Sequence, residues 1–306
     1  MSNTTLNTLA SGKDVIPSLA ERYPQMYLEP TEEGRSEYRD IVLGGSDAPT
    51  HSLDHFAGSD SDTFELLSLP CGIVRIARLS ERKDFEMCLS ILANRCTVKE
   101  IPSTQGASIL DGLISWKNIR DHEQEFLKDH TEEEWEAEFR AFTSDKKNYT
   151  DALILLSRSP YSGVDASVFS CSEAEWLEHS DTIRMYHELT HFVSRRLFHE
   201  EIDPVFDELA ADAVGIFAAY GQYDRTMALR VLGIENGDFI GGRLSNYVKD
   251  KRLPAMKDAV QEVSLLAERI ELLFGDHSTE SWYEMVIHLE ENHRKLLEGI
   301  TLPEPE

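Results

Sequence analysis

From Ser172 to Phe198 the chain runs without a proline or a glycine, and this stretch constrains the fold more than any other part of the sequence. Ser172 followed three residues on by Glu175 is a capping box, and apolar residues fall on several sides of the segment, so it reads as one long buried helix. A second helix is predicted over 204–220. Asp203 stands at its N-cap, Pro204 at its first helical position and Gly221 at its stop. The link between them is short, and Ala210, Ala211, Ala213 and Gly215 on the second helix are small enough to let it approach the first closely.

The first helix carries His187-Glu188-Leu189-Thr190-His191. Residues four apart lie on one helix face, so both imidazoles can reach one tetrahedral zinc ion at about 2.0–2.1 Å. Glu188 lies about 100° round the helix. That is too far to share the metal comfortably and near enough to take a proton from a water beside it. The pattern is H-E-x-x-H, a zinc-hydrolase signature. A hydrolase site of this kind needs a third protein ligand and an open position. On the second helix Glu208 and Asp212 are again four apart. Glu208 can serve as third ligand, and Asp212 can accept the second ring N–H of a ligand histidine and fix its tautomer. His199, Glu200, Glu201 and Asp207 are alternatives to Glu208.

With Glu208-Leu209-Ala210-Ala211-Asp212 downstream of H-E-x-x-H, residues 180–220 resemble the gluzincin branch of the zincin metallopeptidases. The resemblance implies a zincin-like fold, zinc held by His187, His191 and Glu208, Glu188 as general base of peptide hydrolysis, and Asp212 behind His187. The metzincin pattern is not met, because Ser194 and Leu197 stand where its glycine and third histidine would fall. Zincins commonly bind an extended substrate along an edge strand. The candidate is the apolar run 152–157 with its Tyr161-Ser162-Gly163 loop, and an ordinary buried strand is the rival reading. Tyr247, Arg243 and His277 are candidate donors for the oxyanion. A non-catalytic protein that uses the same zinc site structurally, with a partner bound by the amino-terminal half, is the alternative function.

The rest of the chain reads as α+β: a mixed sheet in the amino-terminal half packed on a mainly helical carboxy-terminal half. A short helix is expected near 14–22. The Gly/Ser/Asp-rich stretch 44–63 reads as a loop, residues 72–79 as a strand, 81–95 as a helix and 97–101 as a further extended segment. Residues 104–150 read as mostly helical, with Thr131 and Glu134 forming a capping box. Three segments follow: 1–66, the amino-terminal segment and loop; 67–171, an α+β subdomain; and 172–306, a helical zinc-binding subdomain. Helix caps are also placed near Ser278-Thr279, and the four tryptophans, Trp116, Trp135, Trp176 and Trp282, read as core anchors.

Charge removes whole classes of partner. With 30 Lys+Arg against 56 Asp+Glu the formal charge is −26, and no basic cluster is present to neutralise phosphates, so nucleic acid is excluded. No apolar run is long enough to span a membrane. Four scattered cysteines without a C-x-x-C pair read as thiols of a cytoplasmic protein. An acidic surface should disfavour acidic substrates and leave neutral or basic peptides as the expected class.

Overall fold

The structure is a computed structural model that describes residues 5–198, 203–249, 251–276 and 281–302. Its contacts divide the chain into two compact units, residues 1–101 with 108–157 and residues 102–107 with 158–306. The fold is α+β, with a mixed five-stranded sheet.

The first unit contains strands β1 (Thr5–Ser11), β2 (Thr63–Leu69), β3 (Gly72–Leu79), β4 (Ala107–Ile114) and β5 (Thr150–Ser157) in the order β1-β2-β3-β5-β4. β1, β2 and β3 pair antiparallel, and β3 pairs parallel with β5. Helices α1 (Val15–Arg22), α2 (Glu32–Gly44), α3 (Arg82–Cys88), α4 (Trp116–Phe126) and α5 (Glu132–Thr143) complete the unit. A π-turn over Leu89–Ala93 extends α3. One core joins Val15 and Leu19 of α1, Phe85 of α3, Ala77 and Leu79 of β3, and Leu153 and Leu155 of β5. The buried carboxylate of Asp151 is satisfied by Arg22, Tyr23 and Arg75 at 3.1, 3.0 and 2.5 Å.

Several expectations are corrected here. The run 152–157 is not an edge strand: it lies between β3 and β4, with both faces buried. A nearly continuous apolar run is what a parallel strand covered on both sides requires. The edges of the sheet are β1 and β4, the first in the amino-terminal segment where no strand is expected and the second in a stretch expected to be mostly helical. Residues 97–101 form no strand. β2 crosses the 66/67 boundary, and residues 158–171 group with the second unit. Of the four tryptophans only Trp176 is sealed in a core.

The second unit contains α6 (Glu173–Leu197), α7 (Pro204–Tyr220), α8 (Arg225–Leu232), a two-strand ribbon of β6 (Ile234–Glu235) and β7 (Asp238–Phe239), α9 (Leu253–Asp276) and α10 (Trp282–Leu296). Ser172 and Glu175 form the capping box that opens α6. α7 opens on Asp203, whose Oδ1 accepts from the Val205 and Phe206 amides at 2.8 and 3.3 Å, and closes on Gly221 at φ 73°. Gly215 sets how close α6 and α7 come, because a Cβ there would lie 2.6 Å from the Ile183 carbonyl oxygen. α10 is capped by Ser281 and Glu284; the cap expected near Ser278-Thr279 lies outside the described residues.

Candidate metal centre

Every residue of α6 from His187 to Ser194 is buried, so the two histidines sit where the helix is enclosed on all sides. Their Nε2 atoms face each other at 3.1 Å. Glu208 of α7 brings Oε2 to 3.5 Å from His187 Nε2 and Oε1 to 3.8 Å from His191 Nε2. The three residues thus offer ligand atoms that all lie within 4.8 Å of one another. Three corners of a tetrahedral site with bonds of about 2.0–2.1 Å are about 3.4 Å apart, so the donor set fits a metal of that size with little movement. Glu208 is the most exposed of the three, its side chain 23% accessible against 7% for His187, which leaves one side of the triangle unsealed.

The opposite nitrogens are each backed by a carboxylate. His187 Nδ1 lies 2.9 Å from Asp212 Oδ1. His191 Nδ1 lies 3.0 Å from Asp207 Oδ2, at ion-pair distance but off the line of a straight hydrogen bond. With both Nδ1 atoms so occupied, both Nε2 atoms are turned to the same point, the arrangement that fixes tautomer and orientation in histidine metal sites.

Asp212 is fully buried and gathers a wider cluster. Tyr161 donates its hydroxyl to Asp212 Oδ1 at 2.6 Å, and Arg243 pairs with Asp212 Oδ2 while its other terminal nitrogen donates to the Tyr161 oxygen at 3.1 Å. Burial alone would raise the Asp212 carboxyl; the charge of Arg243 and the hydrogen bonds from His187 and Tyr161 outweigh it and hold the group well below the usual carboxylate range. At His191 burial would lower the imidazole. The Asp207 carboxylate 3.0 Å away, then the charges of Glu208 and Glu188, reverse that and push it up to about 9. The acids around His191 therefore favour positive charge at this point between α6 and α7.

Tyr161 owes its position to α6. Its amide donates to Ser180 Oγ at 2.9 Å, and Arg184 Nη2 donates to the Ser159 and Pro160 carbonyls at 2.9 and 3.1 Å, which holds the turn before it. Gly106 leaves the space that Arg184 fills, since a Cβ there would stand 2.5 Å from Arg184 Nε.

Four sequence-predicted residues, His187, His191, Glu208 and Asp212, are thus brought together. Glu188 is on the same turn, 8% exposed, with no hydrogen bond among the described residues and with oxygens not sealed from solvent. Tyr247 is present but donates to Glu208 Oε2 at 2.9 Å, so it steadies a ligand. Arg243 is committed to Asp212 and Tyr161. Asp207 stands behind His191 and does not replace Glu208. His199, Glu200, Glu201 and His277 lie outside the described residues. Tyr161 was singled out only as part of a substrate loop; it is 3% exposed and belongs to the support of the site. No spacing rule links it to residues so far along the chain.

The chain belongs to a family of unknown function (DUF7005), whose model matches residues 4–284. No curated protein and no solved structure matches it.

Proposed function

We propose that the chain is a zinc-dependent peptidase of gluzincin type, with His187, His191 and Glu208 holding the ion. The observation that carries the reading is the convergence of both Nε2 atoms and the Glu208 carboxylate at tetrahedral spacing, beside a glutamate whose carboxylate makes no hydrogen bond among the described residues. When bound there, zinc polarises a scissile carbonyl and lowers the pKa of a coordinated water. Glu188 takes a proton from the attacking water and delivers it to the leaving amine. Asp212 and Asp207 stand behind the two Nδ1 atoms and turn both Nε2 atoms toward the ion, and Tyr247 keeps Glu208 in place.

A purely structural zinc site closes with four protein ligands. Among the described residues this cluster offers three, with Glu188 beside them, which favours the hydrolase over the non-catalytic alternative. The net charge of −26 supports neutral or basic peptides as substrates. Four unbridged cysteines fit a reducing, cytoplasmic compartment, and no helix among the described residues is long and apolar enough to cross a membrane. The test is Glu188→Gln assayed on a peptide library. Zinc content should be unchanged while hydrolysis falls by about 10²–10⁴-fold; full activity with bound zinc would remove Glu188 as the base, and no hydrolysis by the zinc-loaded native chain would favour the non-catalytic reading.

A further inference from the structure

A second site lies wholly within the first unit. One face of α2, the turn after α3 and the edge strand β4 line a half-open cavity of about 900 Å³, within the size range of small-molecule sites. From α2 come Arg35, Tyr38, Arg39, Val42 and Leu43, which recur at i, i+3, i+4, i+7 and i+8 and so share a face. The turn adds Leu92 and Arg95, and the strand adds Leu110 and Leu113.

The charge of this lining is opposite to that of the chain. It holds three arginines and a single acid, Asp111, in a protein of net charge −26. Arg35, Arg39 and Arg95 pair with no carboxylate among the described residues. All three are exposed, so water screens much of their mutual repulsion, and an anion seated among them would remove the rest.

One buried group points to a ligand independently of the arginines. Gln25, 1% exposed, lines the cavity, and among the described residues neither its side-chain nitrogen nor its side-chain oxygen has a partner. A buried amide left unsatisfied is unfavourable and calls for a missing group. The turn itself is also unusual. It leaves a π-turn, and Arg95 and Cys96 take left-handed φ values of 52° and 57°, where glycine is the usual residue. The Asn94 and Cys96 amides donate hydrogen bonds to the Leu89 and Ser90 carbonyls, at 3.0 and 2.9 Å, and hold it in that form, and Arg95 is thereby set on the cavity wall.

We infer that this cavity binds a small amphipathic anion, a carboxylate or phosphate on an aliphatic body, with Arg35, Arg39 and Arg95 around the charge, Gln25 hydrogen-bonded to the ligand and the leucines and Val42 against its apolar part. Arginine forks suit both anions. The probes are decanoate and decyl phosphate, with decanol as the neutral control, titrated calorimetrically into the full chain. At least one of the two anions should bind once per chain and at least tenfold more tightly than decanol, and the tighter of the two identifies the head group. Arg35→Glu and Arg39→Glu change exposed positions and should each weaken binding about tenfold or more, as should added salt. Gln25→Leu separates a ligand role from a folding role: it should raise the melting temperature of the ligand-free chain and still weaken anion binding. Absence of saturable binding by either anion, equal binding of decanol, or affinity unchanged in both arginine variants would overturn the assignment.

Discussion

Replacing Asp212 by asparagine keeps the shape of the cluster and removes the negative charge that faces Arg243 and His187. Asp212 is fully buried, and the Arg243 side chain paired with it is 13% exposed, so the variant leaves a guanidinium enclosed without its counter-ion. Breaking a buried pair from one side costs about 3–5 kcal/mol, and in a unit of this size that corresponds to a fall in melting temperature of roughly 6–20 °C. His187 also loses the carboxylate 2.9 Å behind its Nδ1, and such partners are worth about 10–100-fold in metal affinity. The two effects can be separated. Adding Arg243→Met removes the stranded charge, so the double variant should recover most of the stability while its metal affinity stays low. Stability is read by calorimetry on chelator-treated protein, and affinity by competition against a chromophoric chelator. If Asp212→Asn melts within a degree of the native chain, or binds metal as tightly, the buried pair and the histidine support have been misjudged.

Other consequences of the geometry can be measured as directly. Tyr247→Phe removes the 2.9 Å hydrogen bond to Glu208 and should weaken metal binding by about tenfold with the fold intact; an unchanged affinity would place Tyr247 outside the support of the site. Gly215→Ala pushes a methyl group onto the Ile183 carbonyl, 2.6 Å away, and should cost about 1–3 kcal/mol in chemical denaturation and lower metal affinity as α6 and α7 part; a variant as stable as the native chain would contradict the close approach. Burial pushes the Cys96 thiol up to about 12 and the Cys88 thiol well above its usual value, whereas Cys71 and Cys171 are partly exposed. A disulfide reagent at pH 8 should therefore modify Cys71 and Cys171 quickly and the other two only on unfolding. Rapid reaction of all four in the native state would contradict that burial.

Where local chemistry dictates structure, the sequence was legible almost to the residue. Ser172 with Glu175, Asp203 with Pro204, and Gly221 mark the ends of α6 and α7 because each satisfies or releases backbone groups that a helix terminus leaves over. The triangle of His187, His191 and Glu208 follows from those ends, since four-residue spacings on two adjacent helices leave few ways to converge. The sheet was harder to read. β1, with the sequence TLNTLAS, and β4 sit at the edges, where no alternation between a buried and a solvated face is enforced, and they went unseen as strands. β5 was seen as a strand and placed wrongly, although its unbroken apolar run is the mark of a strand buried on both faces. Tyr161 and the Arg243–Asp212 pair were illegible as a unit because their meeting depends on tertiary packing across distant parts of the chain.

The central claim is that His187, His191 and Glu208 hold one zinc ion with an open position. The most direct measurement is metal content together with X-ray absorption at the zinc edge, on the native chain and on His187→Ala, His191→Ala and Glu208→Ala. The account predicts about one zinc per chain, with nitrogen and oxygen at about 2.0–2.2 Å and no sulfur, and loss of the metal in each variant. Substoichiometric metal after zinc loading, a sulfur ligand, or zinc retained in both histidine variants would contradict it.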